Sequence, residues 1–303
     1  MQRVKKLFRH RDFLLFLALG LGLIGGEGAR WSEKIVLPAL AMVMTLSTMG
    51  VAGSVFRSAR DLVIPALAGV AMNYGVLGGL LFGLNALLIR EEAFWTGLII
   101  MVAVPPAVAV IPFTSLLEGN STFSLIGTTA CYLAALVITP LIALRFLGSS
   151  FVDPGRLTMI MVELILIPLI FSRILLWTGV SRRIEPLKGA VTNWCFFVVV
   201  YTIVGLNRKV LLDQTLSLVS VAAVAVISTF LLGVVIEGVG RLFKVEPKTV
   251  TSLVLLGTHK NTGLAAGLAL SLFSEKTAVP ATVSTIFMIV YFIWLSLKRR
   301  WSK

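Results

Sequence analysis

"GTHKNTGLAAG", residues 257–267, interrupts an apolar segment that runs from Val250 to Phe273. Thr258, His259, Lys260, Asn261 and Thr262 stand in one row there, with Lys260 roughly ten residues from either end. A segment of this length crosses a hydrocarbon core, and a lysine at its centre costs about 2.5 kcal/mol or more on insertion scales. Such a residue reads as functional. The structural alternative, a snorkelling lysine beside a small-residue packing face from Gly263 to Gly267, needs a shorter reach to the interface.

Working outward, hydrophobic residues make up 57% of 303 and charged residues 14%, and the apolar character recurs in segments of membrane-crossing length. The expected fold class is an all-α polytopic membrane protein with ten spans, near 13–28, 34–55, 62–88, 93–117, 121–147, 157–179, 189–206, 214–237, 249–272 and 278–297. The first follows a basic leader (Arg3, Lys5, Lys6, Arg9, Arg11), but without a small-residue cleavage site it reads as a span and not as a signal peptide.

With ten spans both termini share one side. The loops there hold Arg3, Lys5, Lys6, Arg9, Arg11, Arg57, Arg60, Arg182, Arg183, Lys188, Arg241, Lys244, Lys248, Lys298, Arg299, Arg300 and Lys303, which is 17 of the 27 basic residues. The opposite loops hold Arg30, Lys34, Arg90, Arg145, Arg156, Arg208, Lys209 and Lys276, which is 8. The positive-inside rule places both termini in the cytoplasm of a bacterial-type cytoplasmic membrane. The net charge of +13 is then a signal of topology and of attraction to the bilayer surface, and calls for no nucleic acid partner.

Five spans in each half, 1–148 and 149–303, make the second half start on the opposite face, as in an inverted repeat. The fourth span of each half is disrupted. In "LIIMVAVPPAVAVIPFTSLLEG" (98–119), Pro105 and Pro106 break the helix, with a further irregularity expected at Pro112. Second fragments are expected to begin near Pro106 and near Asn261, capped by Thr258 or Asn261, so that two helix N-termini and Lys260 create a point attractive to anions. Broken helices persist in lipid only where protein or a cavity covers the freed backbone, so both breaks face the interior.

At these residues the chain resembles the bile acid:sodium symporter (BASS) family, within the superfamily that also holds auxin efflux carriers and arsenite exporters. "VPPAVAVIPFTSLLEGN" keeps that family's Pro105 and Gly119-Asn120, "LGTHKNTGLAAGLAL" keeps Asn261 and the small-residue helix after it, and a family glutamine falls on Asn73 of "AMNYG". The resemblance implies a core of spans 3–5 and 8–10 moving against a panel of spans 1, 2, 6 and 7. It also marks departures: sodium-ligand positions of the family fall on Val110, Ile111, Leu256 and Lys260, while Ser124 and Thr128 remain as a residual polar site, and a polar pair in the tenth span falls on Met288 and Ile289.

The expected function is secondary active transport of a small organic anion, in particular a carboxylate, by alternating access. The charge of Lys260 stands where sodium would, and coupling to protons or exchange is open because a desolvated lysine can shed and regain its proton. The expected substrate contacts are Lys260, Asn261, Thr258, His259, Thr262, Asn73, Pro105 and Pro106. A ligand sensor or channel on the same scaffold is the alternative, and counterflow separates the two. Glu163 and Arg173, ten residues apart in the sixth span, are expected at the core–panel cavity or outer interface and at the cytoplasmic end respectively. An enzyme is not expected: His10 and His259 are the only histidines, and no metal, cofactor or nucleophile motif accompanies them. Cys131 and Cys195 read as core thiols.

Reporter fusions at Lys188 and Lys303 are expected to read cytoplasmic and a fusion after Asn207 external; an external C-terminus would overturn the span count.

Overall fold

The computed structural model describes residues 11–49, 59–148, 154–213 and 215–301, and among them the chain is helical with no strand. The helices that matter here are α1 (Arg11–Ile24), α2 (Val36–Thr48), α3 (Leu62–Leu88), α4 (Glu92–Ala103), α5 (Val110–Leu116) and α6 (Ser121–Leu147). They continue with α7 (154–177), α8 (Ser181–Leu206), α9 (Leu218–Leu242), α10 (Pro247–Leu256), α11 (Thr262–Leu272) and α12 (Lys276–Arg299). Five of these, α3, α6, α8, α9 and α12, are individually long and apolar enough to cross a bilayer.

The bounds of α3 and α6 coincide with the expected spans 62–88 and 121–147. Elsewhere the ends differ, for local reasons. α8 starts at Ser181, eight residues before the apolar run, because Pro186 lies near its start, where little of the ladder is lost. α9 runs to Leu242, past the expected 237. The expected first span, 13–28, stops at Ile24: Gly25 ends the helix, Gly26–Gly28 forms a 3-10 turn, and the chain bends by 92° into the stretch leading to Thr48. Residues 50–55 of the expected second span lie outside the described residues.

Two groups of helices pack mainly within themselves. α1, α2, α7 and α8 form one, where Gly26 lies against Gly205, Tyr201 donates to the Gly25 carbonyl at 2.9 Å and the Ser32 and Thr202 hydroxyls meet at 2.6 Å. Arg173 belongs to this group: its guanidinium donates to the Thr48 carbonyl and so caps the last turn of α2. Glu163 sits in a π-helical turn, Val162–Leu166, and is exposed.

The second group is α3–α6 with α9–α12. It repeats along the chain: α4 and α10 start at Glu92 and Pro247, 155 residues apart, and α6 and α12 start at Ser121 and Lys276, also 155 apart. π-helical turns fall at matching places in α3 (Ala71–Gly78) and α9 (Ile227–Leu231). α3 and α6 approach closely, and a β-carbon on Gly69 would come 2.6 Å from the Cα of Gly127. Small residues allow such contact, which in lipid supplies packing that the hydrophobic effect does not.

Gly69→Val is expected to lower the apparent stability of the detergent-purified protein by about 1–3 kcal/mol through overpacking, whereas Gly83→Ala, where a β-carbon meets nothing within 4 Å, leaves thermal unfolding unchanged.

Candidate functional site

The fourth and ninth expected spans are each two helices joined by an extended stretch, and the stretches cross. α4 ends at Ala103 and α5 starts at Val110; α10 ends at Leu256 and α11 starts at Thr262. Ala107 donates to the His259 carbonyl and Asn261 to the Pro105 carbonyl, both at 2.9 Å, so Pro106 and Lys260 face each other as an isolated antiparallel bridge. Pro105 and Pro106 therefore do more than break a helix: they carry no N–H, so the crossing leaves no donor to satisfy at either position.

The second fragment of the first break starts at Val110 and not near Pro106, because Pro106 is held extended by this bridge. Pro112 produces no further break. It lies in the first turn of α5, where backbone N–H groups lack helical partners in any case. Asn261 does cap α11, its Oδ1 accepting from the Leu264 N–H at 3.0 Å. Thr258 instead donates to the Val254 carbonyl at 2.7 Å.

Lys260 is 1% exposed. Its ammonium has three protons and three acceptors: Asn73 Oδ1, the Val102 carbonyl and the Val104 carbonyl, each at 2.9 Å. The Tyr74 ring lies 4.7 Å from the Nζ and adds a cation–π contact. Two of the acceptors are carbonyls at the C-terminal end of α4, where the helix dipole is negative. The ammonium thus fills a nest of oxygens of the kind that holds a small cation at a discontinuous helix.

Neighbouring groups complete the accounting. Thr139 donates to the Ala103 carbonyl at 2.8 Å, and Asn73 Nδ2 donates to the Leu256 carbonyl at 3.4 Å, so Asn73 links the Lys260 ammonium to the end of α10. Tyr132 donates to the Pro106 carbonyl at 2.9 Å and accepts from Asn261 Nδ2 at 3.0 Å. Tyr132, Tyr74 and Thr139 were not among the expected site residues, although a tyrosine inside an apolar span must find a partner for its hydroxyl.

The structure therefore brings Lys260, Asn261, Asn73, Pro105 and Pro106 together. His259 turns toward α12 with Thr258, and Thr262 Oγ1 lies 2.8 Å from Thr285 Oγ1 of α12. Ser124 and Thr128 sit apart on α6: Ser124 pairs with Thr114 at 2.7 Å, the Thr128 hydroxyl is buried without a partner, and a methyl of Leu256 packs on α6 at Gly127.

Between the two helix groups lies a cavity of about 20 Å³, room for one water. Val108, Tyr132, Asn261 and Leu264 line one side, and Leu40, Val43, Met44, Leu164 and Phe196 line the other.

Apolar helices around two crossed, discontinuous ones define an integral membrane protein. The chain belongs to the SBF-like CPA transporter family, whose profile matches residues 13–295, and this family consists of transporters, not enzymes. It is 27% identical over 225 residues to the uncharacterized sodium-dependent transporter YocS of Bacillus subtilis, covering 73% of this chain and 69% of that protein. It is 24% identical over 275 residues to the probable sodium/metabolite cotransporter BASS3, chloroplastic, of Oryza sativa, covering 88% of this chain and 63% of that one. A further relative is the probable sodium/metabolite cotransporter BASS1, chloroplastic, of Arabidopsis thaliana, 24% identical over 292 residues, with 90% of this chain and 69% of that protein covered. The chain spans about two thirds of the length of these relatives.

Asn73→Leu removes one acceptor from a buried ammonium and the donor to Leu256, and is expected to destabilise the purified protein by about 1–3 kcal/mol. In the double variant with Lys260→Met the loss should be smaller than the sum of the two single losses, since the pair shares one interaction; additive losses would separate the two residues.

Proposed function

We propose that the protein is a secondary transporter of a small organic anion, in particular a carboxylate, working by alternating access without sodium. The observation that carries this reading is the set of three 2.9 Å hydrogen bonds from Lys260. A mobile cation in such a nest would link its own gradient to the shape of the crossover. A covalently tethered ammonium supplies the same charge to the same carbonyls permanently, so nothing needs to bind there for the crossing to hold. Leu256 in place of a carboxylate and the apolar Val110 and Ile111 support the same reading, because they remove oxygen ligands that sodium requires.

The anion reading follows from charge balance. Lys260 offsets the negative end of α4 and leaves the N-terminus of α11, with about half a positive charge, facing the cavity side at Asn261. Asn261 and Tyr132 are the polar groups on that cavity, so the substrate carboxylate meets them and the Thr262–Leu272 helix end while its apolar part meets Leu40, Val43 and Phe196. In this reading Lys260, Asn73, Pro105 and Pro106 hold the site, and Thr258, His259 and Thr262 line its α12 side.

The two packing groups serve as panel (α1, α2, α7, α8) and core (α3–α6, α9–α12), and the 155-residue spacing of matching starts supports two inverted repeats, 1–148 and 149–303. Both termini face the cytoplasm, with Arg173, Arg241, Lys298 and Arg299 at that face.

The test is a thermal-shift screen of purified protein against a panel of mono-, di- and tricarboxylates in sodium chloride and in choline chloride of equal ionic strength. A carboxylate is expected to raise the unfolding temperature equally in both salts. Lys260→Gln should weaken that response by about tenfold in apparent affinity, equivalent to about 1.4 kcal/mol. Stabilisation that requires sodium, or an unchanged response in Lys260→Gln, would overturn the role given to the lysine.

A further inference from the structure

His259 is fully buried, one residue from the crossing, and takes no part in it through its side chain. Its tautomer follows from its neighbour. The Thr258 hydroxyl gives its proton to the Val254 carbonyl at 2.7 Å, so toward His259 Nδ1, 2.8 Å away, it can only accept. The imidazole proton is therefore on Nδ1. Nε2 carries a lone pair, is buried, and has no partner among the described residues. Leaving such an acceptor empty is unfavourable, and a site that keeps one calls for water or a proton.

What Nε2 shares its surroundings with is informative. The Tyr291 ring lies 5.9 Å from the imidazole, and the Tyr291 hydroxyl is the other buried polar atom in this neighbourhood without a partner. The hydroxyl points at Gly233 of α9, since a β-carbon there would lie 1.8 Å from it. Glu237 is four residues further along α9 and so on the same face, one turn closer to the end of the helix. On α12, Tyr291, Trp294 and Lys298 follow one another on one face: Tyr291 stacks on Trp294 at 5.7 Å, Lys298 lies over Trp294 at 4.9 Å, and Lys298 pairs with Glu237 at 2.6 Å. A column of groups that can carry a proton thus runs from the crossing to the charged end of α9 and α12.

We propose that His259 and Tyr291 bind internal water and form a proton path between the crossover and Glu237. The water donates to Nε2 and accepts from the Tyr291 hydroxyl, which satisfies both orphaned atoms at once. No covalent bond is made: a proton enters at Glu237, passes through the water beside Tyr291 to Nε2, and returns along the same line, because Thr258 gives its own proton to the Val254 carbonyl and has no onward acceptor. The charged groups facing this column are Glu237 and Arg241 of α9 and Lys298 and Arg299 of α12; Lys260, although adjacent in sequence, directs its ammonium to the α4 carbonyls. Phe113 of α5 closes the other side, edge-on to the imidazole at 5.7 Å, and keeps the path from opening sideways.

The proposal takes the transport reading as its setting and gives it a coupling proton, but its test needs no substrate, so the two fail separately. The probe is water itself, read by nitrogen-15 solid-state NMR on His10→Gln protein labelled at histidine and reconstituted in nanodiscs, so that His259 alone reports. The expected result is a protonated Nδ1, an unprotonated Nε2 and magnetisation transfer from water to Nε2. Tyr291→Phe keeps the aromatic packing and is expected to weaken the transfer from water to Nε2 on the order of tenfold; Glu237→Gln, further out, should weaken it to a lesser degree. A protonated Nε2, a dry Nε2, or transfer unchanged in both variants would overturn the path.

Discussion

A hydrocarbon core offers no water to a broken helix, and this constraint organises the whole molecule around the Pro106–Lys260 bridge. Two helices that stop mid-membrane expose carbonyls at one end and N–H groups at the other. Here five carbonyls near the crossing are met by groups from other parts of the chain: Val102 and Val104 by Lys260, Ala103 by Thr139, Leu256 by Asn73, and Pro106 by Tyr132. Removing any one of these leaves a buried polar atom without water to replace it. The site is therefore stable only as a unit, and its parts come from α3, α4, α6, α10 and α11 together.

The relatives YocS, BASS3 and BASS1 are named for dependence on sodium or cotransport with it. This chain keeps their scaffold and places an ammonium among the oxygens at the crossing. The electrostatic difference is one of timing. A bound ion arrives and departs, whereas the lysine is part of the chain, and in this structure the cost of holding its charge in lipid is offset by carbonyls, Asn73 and the Tyr74 face. In the proposed reading any driving gradient acts elsewhere, and the His259 Nε2 on the α12 side, buried and unpartnered among the described residues, is the place given to the proton.

Much of the fold was legible because lipid makes sequence speak plainly: uninterrupted apolar runs gave α3 and α6 to the residue, and Pro105-Pro106 and the polar row from Thr258 to Thr262 marked both breaks. Lys260 was legible from its cost in an apolar span and Asn261 as a helix cap, while Asn73 was legible only through the family resemblance. What could not be read was direction. Nothing in "GTHKNTG" says that Lys260 turns to the α4 carbonyls while His259 turns to Tyr291, since that depends on which strand pairs with which across the crossing. Nor could Tyr132 and Thr139 be assigned, because their partners are backbone carbonyls about thirty residues away, and carbonyls leave no trace in a sequence. The 92° bend after Ile24 was missed because Gly25 and Gly26 look the same whether they end a helix or pack within one.

The small-residue face of α11 has a mechanical meaning. Gly263 lies against Leu40 of α2 and Val199 of α8, and Gly267, one turn on, lies against Leu37 and Leu40. With no side chain at either glycine, the surface presented to the other helix group is smooth over a full turn, so the leucines bear on backbone alone and meet no ridge when they travel along the axis. Such a seam has low friction and no preferred stopping point of its own. In the proposed motion of core against panel, the resting point is then decided by whatever fills the small space beside Asn261, and a single methyl added to that glycine track would act as a detent, setting a stop that the native surface lacks.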